Sequence, residues 1–151
     1  VHRDLKPENV LLFPSASKSE EDVAPPLAKL ADFGWCAELT ETGRHTFCGT
    51  MDYLSPEMVN RQPHDHRVDT WAAGVLLYEM LVGAPPFAAR SASEQLRRIL
   101  AAEFCPPPTL PPGPRDLIRS LIQAEPQSRL PLGEALQRPW LLAAEMRAPS
   151  R

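Results

Sequence analysis

The sequence predicts a mainly α-helical domain whose helices gather around one buried central helix, with β-structure confined to short strands near its start. Three observations lead there. The segment VDTWAAGVLLYEMLVG, Val68 to Gly83, is apolar on nearly every side, the mark of a helix in a domain centre. Segments after it repeat apolar residues at helical spacing. Only the first part of the chain holds short apolar runs bounded by turn formers, as strands do.

In chain order, NVLLF (Asn9 to Phe13) and LAKLA (Leu27 to Ala31) read as two strands. PSASKSEEDVAPP between them is rich in Ser, Pro and acid, a solvated loop that is long for a hairpin. Residues Trp35 to Asn60 show little period and read as an ordered, irregular segment. The central helix follows, with Asp69 near its start and Gly83 just past its end. SASEQLRRILAAE opens on Ser91 with Glu94 three residues on, a capping-box signature, and carries an apolar stripe at Leu96, Ile99 and Leu100. RDLIRSLIQ places Leu117, Ile118, Leu121 and Ile122 on one face, after the proline-rich CPPPTLPPGP. LGEALQRPW reads as a short helix stopped before Pro139.

Composition narrows the function classes. With 43% hydrophobic and 23% charged residues the chain is an ordinary globular domain. A net charge of -3 leaves no basic footprint for nucleic acid. No apolar run reaches the roughly 20 residues of a membrane span, and there is no signal-peptide pattern. The cysteines, Cys36, Cys48 and Cys105, are odd in number and lack C-x-x-C spacing. That argues against a disulfide framework or a zinc site and suits a reducing compartment. The 18 prolines call for frequent loops. A start at Val1 rather than Met leads us to expect a fragment.

The chemistry concentrates in HRDLKPEN, His2 to Asn9. Phosphoryl transfer from ATP to a hydroxyl needs a carboxylate for the hydroxyl proton, oxygen ligands for magnesium, and positive charge near the phosphoryl. Asp4 offers the carboxylate, Lys6 the charge, and the Asn9 amide oxygen a magnesium ligand. Asp32 of DFG adds an anionic magnesium ligand, and Gly34 there permits backbone angles that a Cβ resists. Taken singly, Asp4, Asn9 and Asp32 could equally be turn formers. HDH, His64 to His66, reads as a solvated approach to the central helix rather than a metal site.

HRDLKPEN, ADFG, Gly49-Thr50, SPE (Ser55 to Glu57), DTWAAG (Asp69 to Gly74) and Arg129 occur in the order found in protein kinases, and the chain resembles that family from Val1 to about Trp140. The resemblance implies a kinase C-terminal lobe over residues 1–140 with a tail over 141–151, part of a fold that is α+β when complete. It implies ATP and Mg2+, with Lys6, Glu8, Asn9, Leu11, Ala31 and Asp32 at the nucleotide. Leu11 and Ala31 match the positions under the adenine. His2 is expected beneath Phe33, Asp69 on the backbone at His2 and Arg3, and Glu57 in a buried salt bridge with Arg129. Lys6 after the aspartate, and Thr50 contacting Asp4 and Lys6, resemble the serine/threonine class.

ADFGW and CGTMDYLSPEM narrow the resemblance to the Aurora kinases, as does VDTWAAGVLLYEMLVGAPPF. This implies protein substrates, roles in cell division, and a nuclear, spindle or centrosomal location. It also implies activator proteins seated on an N-terminal lobe. Thr46 stands at the activation-loop phosphosite, with Thr40 and Thr42 as competitors. A phosphate there is expected to order its loop against Arg3 through charge-assisted bonds. Glu8, beside the catalytic loop of a slightly acidic chain, fits a preference for arginine upstream of the phosphorylated residue. Cys48 is expected to be an inert thiol rather than a redox sensor.

The loop from Phe13 to Pro26 is longer than the family's, and Gly43 and His45 interrupt a stretch that is usually more basic. No Gly-rich phosphate loop or VAIK-type lysine occurs in residues 1–151. Two function classes therefore stand: an Aurora-like serine/threonine kinase of which this is a fragment inactive alone, or a truncated kinase-homology module acting as a scaffold.

Overall fold

The structure, a computed structural model, describes residues 1–14, 26–36 and 51–147, with the side chains of Trp35 and of residues 144–147 excepted. A 3-10 turn over Pro7–Asn9 leads into strand β1, Val10–Phe13, which pairs antiparallel with β2, Leu27–Leu30. The register sets Val10 opposite Leu30 and Phe13 opposite Leu27. One further bond, from the Ala31 N–H to the Asn9 carbonyl at 2.8 Å, extends the pairing to the next residues. This hairpin stays outside the core: Leu11, Leu12, Phe13, Leu27 and Leu30 are all exposed.

The α-helices described are α1 (Pro56–Val59), α2 (Arg67–Val82), α3 (Ala92–Leu100), α4 (Pro112–Leu121), α5 (Leu132–Ala135) and α6 (Pro139–Arg147), with short 3-10 turns at Phe33–Trp35, Met51–Tyr53 and Pro126–Ser128. Helix α2 is the axis. Val68, Trp71, Ala72, Val75 and Tyr78 are buried along it, whereas Met80 and Leu81 in its last turn emerge to solvent. The expected all-round burial therefore holds only until the helix leaves the core. Gly83 ends it at φ +86°, with its N–H on the Glu79 carbonyl at 2.7 Å, a left-handed cap that glycine adopts at low cost.

The core is built on rings around α2. Trp71 stacks on Phe87 at 5.3 Å between centroids, and Phe104 meets both Phe87 and Tyr78 edge-on. Ile99, Ile118 and Ile122 close the cluster from α3, α4 and the residue after α4. Helix α4 approaches α2 at Gly74, where an added Cβ would lie 2.7 Å from Ile122 Cγ1 and 2.9 Å from Leu121 Cβ.

Several boundaries differ from the sequence reading. Helix α4 begins at Pro112, inside the stretch read as a proline-rich lead-in. Its Pro112 and Pro114 fall in the first turn, where no backbone N–H is needed for an intrahelical bond. Pro139 likewise starts α6 rather than only stopping α5, so a helix runs through Arg147 into the stretch read as a tail. Helix α1 lies within the segment read as irregular; at four residues it is too short to show a period. The Ser91 hydroxyl caps α3 by accepting the Glu94 N–H at 3.2 Å. The Glu94 carboxylate does not return to complete a capping box; it pairs with Arg97 and Arg98 instead.

Candidate active site

The loop from His2 to Asn9 is held from below by α2. The two oxygens of Asp69 accept the backbone N–H groups of His2 at 2.7 Å and Arg3 at 2.8 Å. Arg3 sits at φ +69°, a left-handed conformation a side chain resists by about 1–2 kcal/mol, and the Asp69 bonds help offset that cost. The turn at Arg3 points the next residue, Asp4, into the domain, where it is buried.

Asp4, Lys6 and Asn9 converge. Lys6 Nζ lies 2.9 Å from Asp4 Oδ2, and Asn9 Nδ2 donates to the same oxygen at 3.0 Å and to the Asp4 carbonyl at 2.7 Å. Both donors use Oδ2, which leaves Oδ1 as the oxygen able to face an incoming hydroxyl. The Asn9 amide nitrogen is committed to Asp4, so its oxygen is the end available to a cation. Glu8, next to Asn9, is exposed.

His2 links this loop to the DFG segment. Its Nδ1 accepts the Asp4 N–H at 3.4 Å, which assigns the proton to Nε2, and Nε2 donates to the Ala31 carbonyl at 3.1 Å. Its ring also meets Phe33 edge-on, 5.2 Å between centroids and 62° between planes. Phe33 is otherwise exposed, as is Leu11, while Ala31 is half-buried.

Asp32 stands at φ +57°, in the left-handed region, with its Oδ1 accepting the Gly34 N–H at 3.2 Å. The expectation for Gly34 needs correction. The left-handed backbone belongs to Asp32, and Gly34 does not adopt it. What Gly34 supplies is room, because a Cβ there would sit 3.1 Å from Asp32 Oδ1.

Glu57 and Arg129 form a buried two-pronged pair, with Nη1 on Oε1 at 2.6 Å and Nη2 on Oε2 at 2.7 Å. The remaining guanidinium hydrogens reach the carbonyls of Arg67, Gln123 and Ala124. The guanidinium also lies over Trp71, 5.1 Å from the ring centroid. Its position ties α1 to α2 and to the turn before α5. Arg3 is half-buried. Thr40, Thr42, Thr46, Cys48 and Thr50 lie outside the described residues. At the HDH stretch, Asp65 accepts the Arg67 N–H at 2.9 Å and pairs with the Arg67 guanidinium.

Sequence reading missed the short turn Met51–Tyr53. Tyr53 packs in the core and its hydroxyl donates to Glu79 Oε2 on α2. Burial first, and then the Glu79 carboxylate, push the Tyr53 phenol far above its usual range; Glu8 and Asp52 add to the effect. Asp52 Oδ1 accepts from Gln95 Nε2 of α3 at 2.6 Å. At three residues the turn is too short to show a period in the sequence.

Comparison with known proteins bears on this arrangement. Residues 1–141 match the protein kinase domain family. The chain is 45% identical to Aurora kinase B-A of Xenopus laevis over 97% of its own length and 38% of the relative's. It is 43% identical to Aurora kinase C of Mus musculus over 93% of its length and 48% of the relative's. Against Aurora kinase A-A of Xenopus laevis the identity is 45%, over 94% of this chain and 32% of that protein. The chain thus spans between 32% and 48% of the length of these curated relatives. A match across nearly the whole chain, with identity at this level, makes it a member of the protein kinase domain family, of the Aurora-like kind.

Proposed function

We propose that this chain is the base-bearing and substrate-bearing part of an Aurora-like serine/threonine protein kinase, which transfers the γ-phosphoryl of Mg-ATP to hydroxyls of protein substrates. The observation that carries this is the convergence of Lys6 and Asn9 on one oxygen of a buried Asp4. Asp4 Oδ1 takes up or orients the substrate hydroxyl proton. Lys6 supplies positive charge where the phosphoryl is transferred. The oxygens of Asn9 and Asp32 are the hard donors magnesium prefers, and the exposed Asp32 carboxylate leaves room for it. Bound there, the ion neutralises phosphate charge. Thr50 is assigned to contact Asp4 and Lys6, and Leu11 and Ala31 to the adenine side of the nucleotide.

Substrate choice and regulation belong to the same reading. Glu8 and Glu79 carry negative charge near Tyr53, which suits an arginine upstream of the target residue. Phosphorylated Thr46 orders its loop against Arg3. Residues 1–151 assayed alone lack a Gly-rich phosphate loop, and positioning can supply about 7–11 kcal/mol of catalysis, so negligible turnover is expected from them. Spindle or centrosome association completes the proposal.

The test is γ-phosphoryl transfer from ATP to a serine peptide by the full-length protein and its Asp4→Asn variant. A loss of about 10²–10⁴ in kcat is expected for a displaced general base. Turnover unchanged in Asp4→Asn overturns the assignment. Partner binding with no turnover in the wild type would favour the scaffold reading.

A further inference from the structure

The turn Met51–Tyr53 is tied from two sides by hydrogen bonds that each join a neutral donor to a carboxylate. Gln95 Nε2 holds Asp52 Oδ1 at 2.6 Å, across 43 residues of sequence. The Tyr53 hydroxyl holds Glu79. A carboxylate only accepts, so the Gln95 amide must present its nitrogen, and the orientation is fixed. Both donors are neutral. A lysine or arginine in their place would have discharged the carboxylates; an amide and a phenol aim them and leave the charge intact. Among the described residues no cation pairs with Asp52, Glu79 or Glu8. The turn also adjoins the loop proposed to carry the reaction, since Tyr53 and Asp4 line one small cavity.

We propose that Gln95 is a positioning residue for substrate selection: from α3 it fixes the Asp52 carboxylate so that the turn presents a directed negative charge to a basic residue of the peptide. The inference rests on the kinase reading above and deepens it. Helix α3 is well placed for this. Ile99 roots it in the core, Ser91 caps its start, and Arg98 bonds the Ala88 carbonyl at 3.1 Å. Gln95 therefore reaches Asp52 from a fixed base. Without that bond the Asp52 side chain is free to rotate and its charge is no longer aimed.

The experiment uses the full-length protein and two serine peptides, one with arginine two residues upstream and one with alanine there. The readout is the ratio of their kcat/KM values. Gln95→Ala is expected to lower the arginine preference about three- to fivefold, the scale of one partly exposed charge pair. The change should fall on KM for the arginine peptide, with kcat and the KM for ATP within about twofold. Asp52→Asn keeps an acceptor for Gln95 and removes only the charge; it should lose the preference to the same degree. An unaltered ratio in Gln95→Ala overturns the proposal, as does full preference in Asp52→Asn, since a purely structural tie would survive that change. A wild type that phosphorylates both peptides equally overturns the proposal and leaves the kinase reading standing. A wild type that phosphorylates neither overturns both.

Discussion

Glu57→Ala perturbs a pair whose every hydrogen bond can be counted. Arg129 is 4% exposed and Glu57 6%, so neither charge can turn to water when its partner goes. The two carboxylate contacts, at 2.6 and 2.7 Å, are charge-assisted bonds in near-parallel geometry. Each such bond contributes about 1.5–3 kcal/mol net, giving about 3–6 kcal/mol for the two. The usual cost of breaking one side of a buried ion pair, about 3–5 kcal/mol, falls within that range. The surviving carbonyl contacts from Arg67, Gln123 and Ala124 hold the guanidinium in place, so it stays buried and uncompensated. We therefore expect a loss of about 3–5 kcal/mol, read from the urea midpoint at unchanged slope. Arg129→Met should be at least as costly, because those carbonyls lose their donors as well. The double variant should cost about 2–3 kcal/mol less than the sum of the singles. A Glu57→Ala loss under about 1 kcal/mol, or strict additivity, would refute the reasoning.

Asp69→Asn keeps the size of the side chain but leaves one acceptor for the N–H groups of His2 and Arg3; kcat should fall about 10- to 100-fold as Asp4 shifts, and an unchanged kcat would count against the loop's dependence on α2. Gly74→Ala gains about 1 kcal/mol in helix propensity yet overpacks the contact with Ile122 and Leu121, so a net loss of about 1–3 kcal/mol is expected in equilibrium unfolding; a stabilised variant contradicts the tight α2–α4 approach. Glu94 is drawn down to about 2 by hydrogen bonds from Arg97 and then Arg98. A depressed carboxylate stabilises the fold above its ordinary value near 4.5 and loses that contribution as pH falls from there toward 2. The difference in melting temperature between wild type and Glu94→Gln should therefore be widest near neutral pH and close with acidification. It should also shrink in high salt, because the pair is exposed. A gap independent of pH would remove Glu94 as its source.

The sequence announced some features and concealed others for definite reasons. Helix α2 was legible because sixteen residues with little polar interruption allow few other environments. Both strands were legible within one residue, since loop and turn formers bound them on each side. The proline-headed starts of α4 and α6 were not, because proline reads first as a breaker, and only its place in the first turn reverses that meaning. Among the candidate site residues, the cluster of Asp4, Lys6 and Asn9 is local in sequence, so spacing nearly specifies it. The Tyr53–Glu79 and Asp52–Gln95 contacts join residues 26 and 43 positions apart, and no spacing encodes them.

Burial divides the candidate site into a part rooted in the core and a part that is exposed. His2, Asp4 and Asn9 are buried, and their geometry is fixed by α2 through Asp69. Asp32, Leu11 and Phe33 are exposed and hang on a hairpin that does not enter the core. The distance between the two proposed magnesium ligands, Asn9 and Asp32, is thus set by strand register rather than by packing. The Ala31 N–H on the Asn9 carbonyl is the last bond of that register, one residue short of Asp32. A slip of one residue would turn each hairpin side chain to the other face and carry Asp32 away from Asn9. His2 resists such a slip from the other side, bonding the Ala31 carbonyl while its ring meets Phe33. The histidine of HRDLKPEN therefore acts as a clamp: it joins a loop fixed by the core to a strand fixed by its neighbour, and sets Asn9 and Asp32, the proposed magnesium ligands, in positions that neither element could align alone.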